Sequence, residues 1–128
     1  MSVVYDAGLL IAADRNDRAV WADHRARLEL GLVPVTTAPV VAQVSRRPQQ
    51  AQLRRFLRGC DVQPFLAEEA HAVGALLGRA GTADVVDGHL AITAERAGLN
   101  LRTADQEDLE RLSEHLPTPI RVLPIHAS

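Results

Sequence analysis

Short apolar runs separated by longer amphipathic stretches constrain this chain more than any other feature. Ser2 to Tyr5, Val33 to Thr36, Asp61 to Phe65, Leu99 to Leu101 and Ile120 to Leu123 each read as a strand of a few residues. Between them, apolar residues recur at helical spacing. The resulting order is β-α-α-β-α-α-β-α-α-β-α-β. A helix between two strands carries the chain back to the edge it left, so the strands pair in parallel. The expected fold is therefore α/β, with a mostly parallel central sheet of four to five strands between helical layers.

The helices announce their ends. Asp6 closes the first run and precedes the helical stretch Ala7 to Ala13, where an aspartate serves either as N-cap or as a ligand at a strand's carboxyl end. Asp17 is placed to cap a helix over 18–30 whose inward face holds Val20, Trp21, His24, Leu28 and Leu30. Thr36 or Thr37 starts a helix through Val44, with Pro39 tolerated in its first turn and Gln43 its polar residue. A helix over 49–58 buries Leu53, Phe56 and Leu57. Its Arg54, Arg55 and Arg58 form a solvated face or, on a sharper reading, touch RNA or a partner. Ala67 to Gly78 reads as a helix with Glu68 and Glu69 at its positive end, and Gln106 to Glu114 as one that buries Leu109 and Leu112.

Composition narrows the function classes. The 128 residues fit a single domain, 1–128, with enough chain to bury a core. No apolar run approaches the roughly 20 residues of a membrane span, and no basic-then-apolar leader precedes the first strand, so the expected setting is cytoplasmic and off the membrane. The single cysteine, Cys60, reads as a small apolar residue before a strand. All fourteen basic residues are arginine. The absence of lysine removes a Walker-type phosphate lysine, a Schiff base and a lysine general base. His71 and His89 lack partners at metal-ligand spacing and read as structural or surface residues. No Ser/His/Asp or Cys/His arrangement offers a protein nucleophile.

Carboxylates remain, and they gather in the stretch from Gly81 to Asp105. Asp84 and Asp87 are three residues apart on a predicted helix, hence on one face with Cβ atoms roughly 5–6 Å apart. Asp105 follows the next strand, at the edge where open α/β sheets bind ligands. Each acid has an ordinary explanation: Asp84 is placed to cap the helix at Val85, and Asp105 the helix at Gln106. Asp87 is harder to explain, because it falls between Val85, Val86 and Leu90, where an unpaired charge would be costly. Like charges that converge raise one another's pKa unless a cation lies between them. A divalent metal accounts for the pattern, and oxygen-only ligands favour Mg²⁺ or Mn²⁺.

In these residues the chain resembles the PIN-domain family, and within it the VapC-type ribonuclease toxins of bacterial toxin–antitoxin pairs. The resemblance rests on Val4 to Ala7 at the first strand, Gly81 to His89 at the acidic helix and Leu101 to Leu109 around the fourth strand, and it spans essentially the whole length. It implies a three-layer α/β/α fold and a metal-dependent endoribonuclease. Asp6, Asp84, Asp87 and Asp105 would hold Mg²⁺ or Mn²⁺, and Thr103 would orient Asp105 or a water. RNA would be the substrate, with the phosphate cut by a metal-activated water. It further implies a homodimer and a cognate antitoxin that inserts a peptide near the acids, with an arginine competing with the metal.

One position departs from the pattern. The family carries a glutamate on the helix after the second strand, and Gln43 stands there. An amide oxygen can ligate a cation but brings no charge, so one tightly held ion is expected, with a second arriving only with substrate phosphate. The same departure keeps open a degenerate PIN domain that binds RNA or a protein without cutting. A receiver-like signalling domain shares the layout but requires a lysine that this chain lacks.

Overall fold

The computed structural model describes residues 2–126. Its strands are β1 (Val3–Tyr5), β2 (Val35–Thr37), β3 (Asp61–Gln63), β4 (Asn100–Thr103) and β5 (Val122–Pro124). They lie side by side in the order β3-β2-β1-β4-β5, and every neighbouring pair is parallel. Seven helices connect them: α1 (Ala7–Asp14), α2 (Arg18–Glu29), α3 (Ala38–Val44), α4 (Ala51–Leu57), α5 (Ala70–Ala80), α6 (Val85–Ala97) and α7 (Gln106–Glu114). A short 3₁₀ turn, Ala67–Glu69, leads into α5.

The chain moves outward from β1 to β2 and β3, then crosses to β4 and β5. Right-handed crossovers put helices on opposite faces when the direction reverses. Accordingly α2, α3 and α4 each pack on α1, while α5, α6 and α7 pack on one another. This is the three-layer PIN-like arrangement. The reversal also opens a crevice between the carboxyl ends of β1 and β4, the position at which such sheets take ligands.

Local chemistry sets most helix starts. The Asp6 carboxylate accepts from the Ala7 amide, Asp17 from Val20, Thr37 from Val40 and Asp84 from Asp87. Gly81 and Gly98, at φ of 73° and 66°, end α5 and α6 in the left-handed region. The core has one large body around Val4, Tyr5, Leu10, Val40, Phe56, Leu90 and Leu101, and a smaller one under α5 and α7.

Several boundaries differ from the sequence reading. β2 begins at Val35 rather than Val33, since Pro34 has no amide to donate to a ladder and Val33 is half exposed. β3 ends at Gln63, before Pro64. α2 buries Val20 and His24, but Leu28 and Leu30 are 38% and 74% exposed. Leu30 lies past the helix's end, as its C-cap, where the chain turns through Gly31. His24 itself is fully accommodated: its ring stacks on Phe56 and its Nδ1 is 3.0 Å from the Tyr5 hydroxyl. Cys60 packs at the rim of the core, and burial pushes its thiol up to about 12.

Candidate functional site

Asp6 follows β1 directly, and its carboxylate is only 4% exposed. One oxygen accepts from the Ala7 amide at 2.6 Å and the other from the Thr103 hydroxyl at 2.5 Å. Thr103 is the last residue of β4, so this bond spans the crevice at the point where the sheet's connections reverse. The Thr103 oxygen also accepts from the Asp105 amide at 2.8 Å. The hydroxyl therefore fixes two acids at once: the carboxylate of Asp6 and the backbone of Asp105. Thr103, expected to orient Asp105 or a water, meets Asp105 only at its backbone amide. Its side-chain partner is Asp6.

Asp84 and Asp87 reach the same edge from α6, which packs on β1, β2 and β4. Asp84 is exposed and has one oxygen engaged as the N-cap. Asp87 is 9% exposed. Next to it, Gly88 lets α6 pack closely on α5, because a Cβ there would come within 2.7 Å of the Leu77 side chain. Asp105 is exposed at the start of α7 and, unlike Asp6 and Asp84, makes no side-chain cap.

The electrostatics tie the four together. Burial, then the charges of Asp6, Asp84 and Asp105, push Asp87 up to about 7. Burial also raises Asp6, with Asp84 adding to it and the Thr103 and Ala7 hydrogen bonds opposing it. Asp105 is raised by desolvation and then by Asp108, Asp6 and Asp84. Asp6, Asp87 and Asp105 are each raised in part by another acid of the group, although the acids come from three parts of the chain. They do not close into a cage: among the described residues, no three His, Cys, Asp or Glu side chains stand close enough to hold an ion. Asp6 and Asp84 have oxygens committed to hydrogen bonds that hold them at the rim of the crevice.

A concavity of about 220 Å³ opens beside this group, lined by Asp84, Asp87, Thr82, Asp108 and Arg111. Asp108 was not singled out from the sequence. The signal was available, because it stands three residues after Asp105 on a helix and so shares its face. Arg111 is the cation on the wall, 4.0 Å from Asp108 and half exposed. Gln43 is exposed on α3 and is tied to none of these acids by a hydrogen bond among the described residues.

The donor set is oxygen only, anionic and mutually repelling, which suits a hard divalent cation. His89 is not part of it. Its ring is fully buried, stacked on Phe65 with centroids 4.3 Å apart, and burial holds its pKa below the ordinary value. His71 is exposed on α5.

No family model matches the sequence, and neither does any curated protein. Solved structures do match in fold. PAE2754 from Pyrobaculum aerophilum superposes with a TM-score of 0.64 over 96% of this chain and 90% of that one, at 16% identity. FitAB bound to an IR36 DNA fragment gives a TM-score of 0.67 over 98% of this chain and 96% of that one, at 15% identity. At such identities the likeness is one of fold. Among the described residues no helix is long and apolar enough to cross a membrane.

Proposed function

We propose that this protein is a metal-dependent endoribonuclease acting at the carboxylate edge, and that it is the toxin of a toxin–antitoxin pair. The observation that carries the reading is Asp87: a nearly buried acid pushed to about 7 by burial and by three other acids at a ligand-binding crevice. Structural acids are normally paired, and one left unpaired among its own kind supports the reading of a cation site. The DNA fragment in the FitAB structure supports nucleic acid as company for a protein of this fold.

Asp6, Asp84, Asp87 and Asp105, which do not stand close enough to enclose an ion as they are, would have to draw together to hold Mg²⁺ or Mn²⁺, with Asp108 beside them. The ion, when bound, supplies Lewis-acid polarisation of a phosphate oxygen and a water of lowered pKa. The chain's own residues do the positioning. Thr103 holds the Asp6 carboxylate and the Asp105 backbone in fixed relation across the crevice. Asp87 must release its proton to act as a ligand, so ion binding strengthens as pH rises through about 7. Arg111 offers a guanidinium on the wall of the concavity to a phosphate of the strand. A homodimer and a cognate antitoxin complete the proposal by resemblance.

A second reading has an observation of its own. Gln43 stands exposed where the family carries a glutamate, and this favours a protein that binds RNA without cutting it. One experiment separates the two. Single-stranded and structured RNAs are incubated with the protein in Mn²⁺, in Mg²⁺ and in EDTA, alongside Asp87→Asn. Cleavage that needs the ion and falls to background in the variant supports the nuclease. Binding without cleavage in any ion overturns it.

A further inference from the structure

Away from the acids, between α2 and α4, lies a second concavity of about 300 Å³, lined by Arg18, Arg25, Arg55, Trp21, Asn16 and Gln52. No carboxylate lines it, and none of its three arginines forms an ion pair among the described residues. Elsewhere Arg27, Arg47, Arg96, Arg102 and Arg111 find acids, and the other unpaired arginines do not line this hollow. Three unpaired guanidiniums facing one hollow repel one another, and an anion relieves that repulsion.

The hollow is also held in shape. The Trp21 indole donates to the Ala13 carbonyl at 2.9 Å and packs edge-on against Phe56 at 5.0 Å. Arg55 lies over the indole, 5.5 Å from its centre, and donates to Gln52 at 3.1 Å. Two of the lining side chains are thus fixed before any ligand arrives, which lowers the ordering cost of binding.

We infer that this concavity binds the phosphate backbone of a single-stranded polynucleotide, with Trp21 beside a base. The inference takes its ligand class from the nuclease reading, but binding and cleavage fail separately. Planar guanidinium forks match phosphate oxygens, and an indole offers a face to a base. A peptide of acidic residues alone would satisfy the arginines without using the indole. The position also answers a difficulty at the catalytic edge, whose acids repel an anionic strand. Asp6 caps the start of α1 and Asn16 lies just past its end, so eight helical residues, about 12 Å of rise, separate the two. A strand of a few nucleotides reaches both.

Trp21 is the chain's one tryptophan, so its fluorescence reports this hollow alone. The test titrates the full chain with a single-stranded RNA oligonucleotide in EDTA, where cutting is suppressed, and with polyglutamate of equal charge. Fluorescence and the salt dependence of affinity are both followed. RNA should perturb Trp21. Arg25→Gln and Arg55→Gln should each weaken RNA binding several-fold and reduce the slope of log affinity against log salt by about 0.7. Arg121→Gln, outside the concavity, should change neither, and thermal melts confirm that each variant folds. Unchanged affinity in the Arg25→Gln/Arg55→Gln double variant overturns the inference, even if the protein cuts RNA. Polyglutamate binding as tightly as RNA also overturns it, in favour of an acidic protein partner. Loss of RNA binding in the double variant upholds it, even if no cleavage is ever seen.

Discussion

Two carboxylates flank α6, and both are nearly buried: Asp87 near its start is 9% exposed, and Glu69, packed against it from the 3₁₀ turn before α5, is 5% exposed. They respond in opposite directions. Burial pushes both up, but around Glu69 the Leu66 amide at 2.8 Å and the Arg96 guanidinium at 2.8 Å more than offset it, and its pKa falls below the ordinary carboxylate range. Around Asp87 the neighbours are Asp6, Asp84 and Asp105, and every one adds to the rise. Burial is therefore not what distinguishes these two acids. The sign of the surrounding charge is.

The largest test of that difference is Asp87→Asn. With a folded pKa of about 7 against an ordinary 3.8, Asp87 contributes stability that is complete below pH 3.8 and is lost as pH rises through 7. Removing the charge should stabilise the metal-free protein at pH 8 by on the order of 3 kcal/mol, and by nothing near pH 4. Melting curves from pH 4 to 8 measure it. A variant less stable than the parent at pH 8 would mean that Asp87 is compensated like Glu69, and the contrast would be gone.

Asp6 lies between the two extremes, and Thr103 is what keeps it there. Thr103→Val removes the hydroxyl that donates to Asp6 and accepts from the Asp105 amide. The loss should raise Asp6 further, cost about 1–2 kcal/mol at pH 7 and less near pH 4, and reduce ion-dependent cleavage. Thr103→Ser should restore all three. Equal loss at both pH values would assign Thr103 to packing alone.

How much of this was legible follows from which forces are local. Asp6, Asp17, Thr37 and Asp84 cap helices, and their side chains act on amides within three residues, so the sequence displays them. The parallel order follows from alternation, and the crevice follows from that order. Thr103 was assigned to Asp105, two residues away, or to a water, because the acid to which its hydroxyl donates lies 97 residues distant and only the β1–β4 pairing brings it near. Glu69 read as a dipole acid at a helix start. Its pairing with Arg96 depends on how α5 packs on α6, which no spacing encodes. Leu28 is only partly covered, beside Gly59, and Leu30 lies past the end of α2, so the apolar pattern outruns what packs on it. The arginine concavity escaped because its members come from two helices whose contact is tertiary; Arg55 was noted only for its own helix.

The smallest effect closes the comparison from the other side. Glu69→Gln keeps an oxygen for the Leu66 amide but removes the charge facing Arg96, whose side chain is 60% exposed and partly screened by water. The cost at pH 7 should be about 1 kcal/mol or less. A depressed carboxylate contributes stability that is present above its ordinary 4.5 and lost as pH falls through its folded value. The deficit of the variant should therefore close in acid, the reverse of Asp87→Asn, whose gain closes in acid. His89, whose Nε2 lies 3.6 Å from Glu69, is held below its ordinary pKa by burial and is neutral near pH 7, so it does not rescue the variant by charge. Plotted against pH, the two variants should approach the parent from opposite sides. If both lie below it at every pH, the two acids are equally structural and the cation site loses its main support.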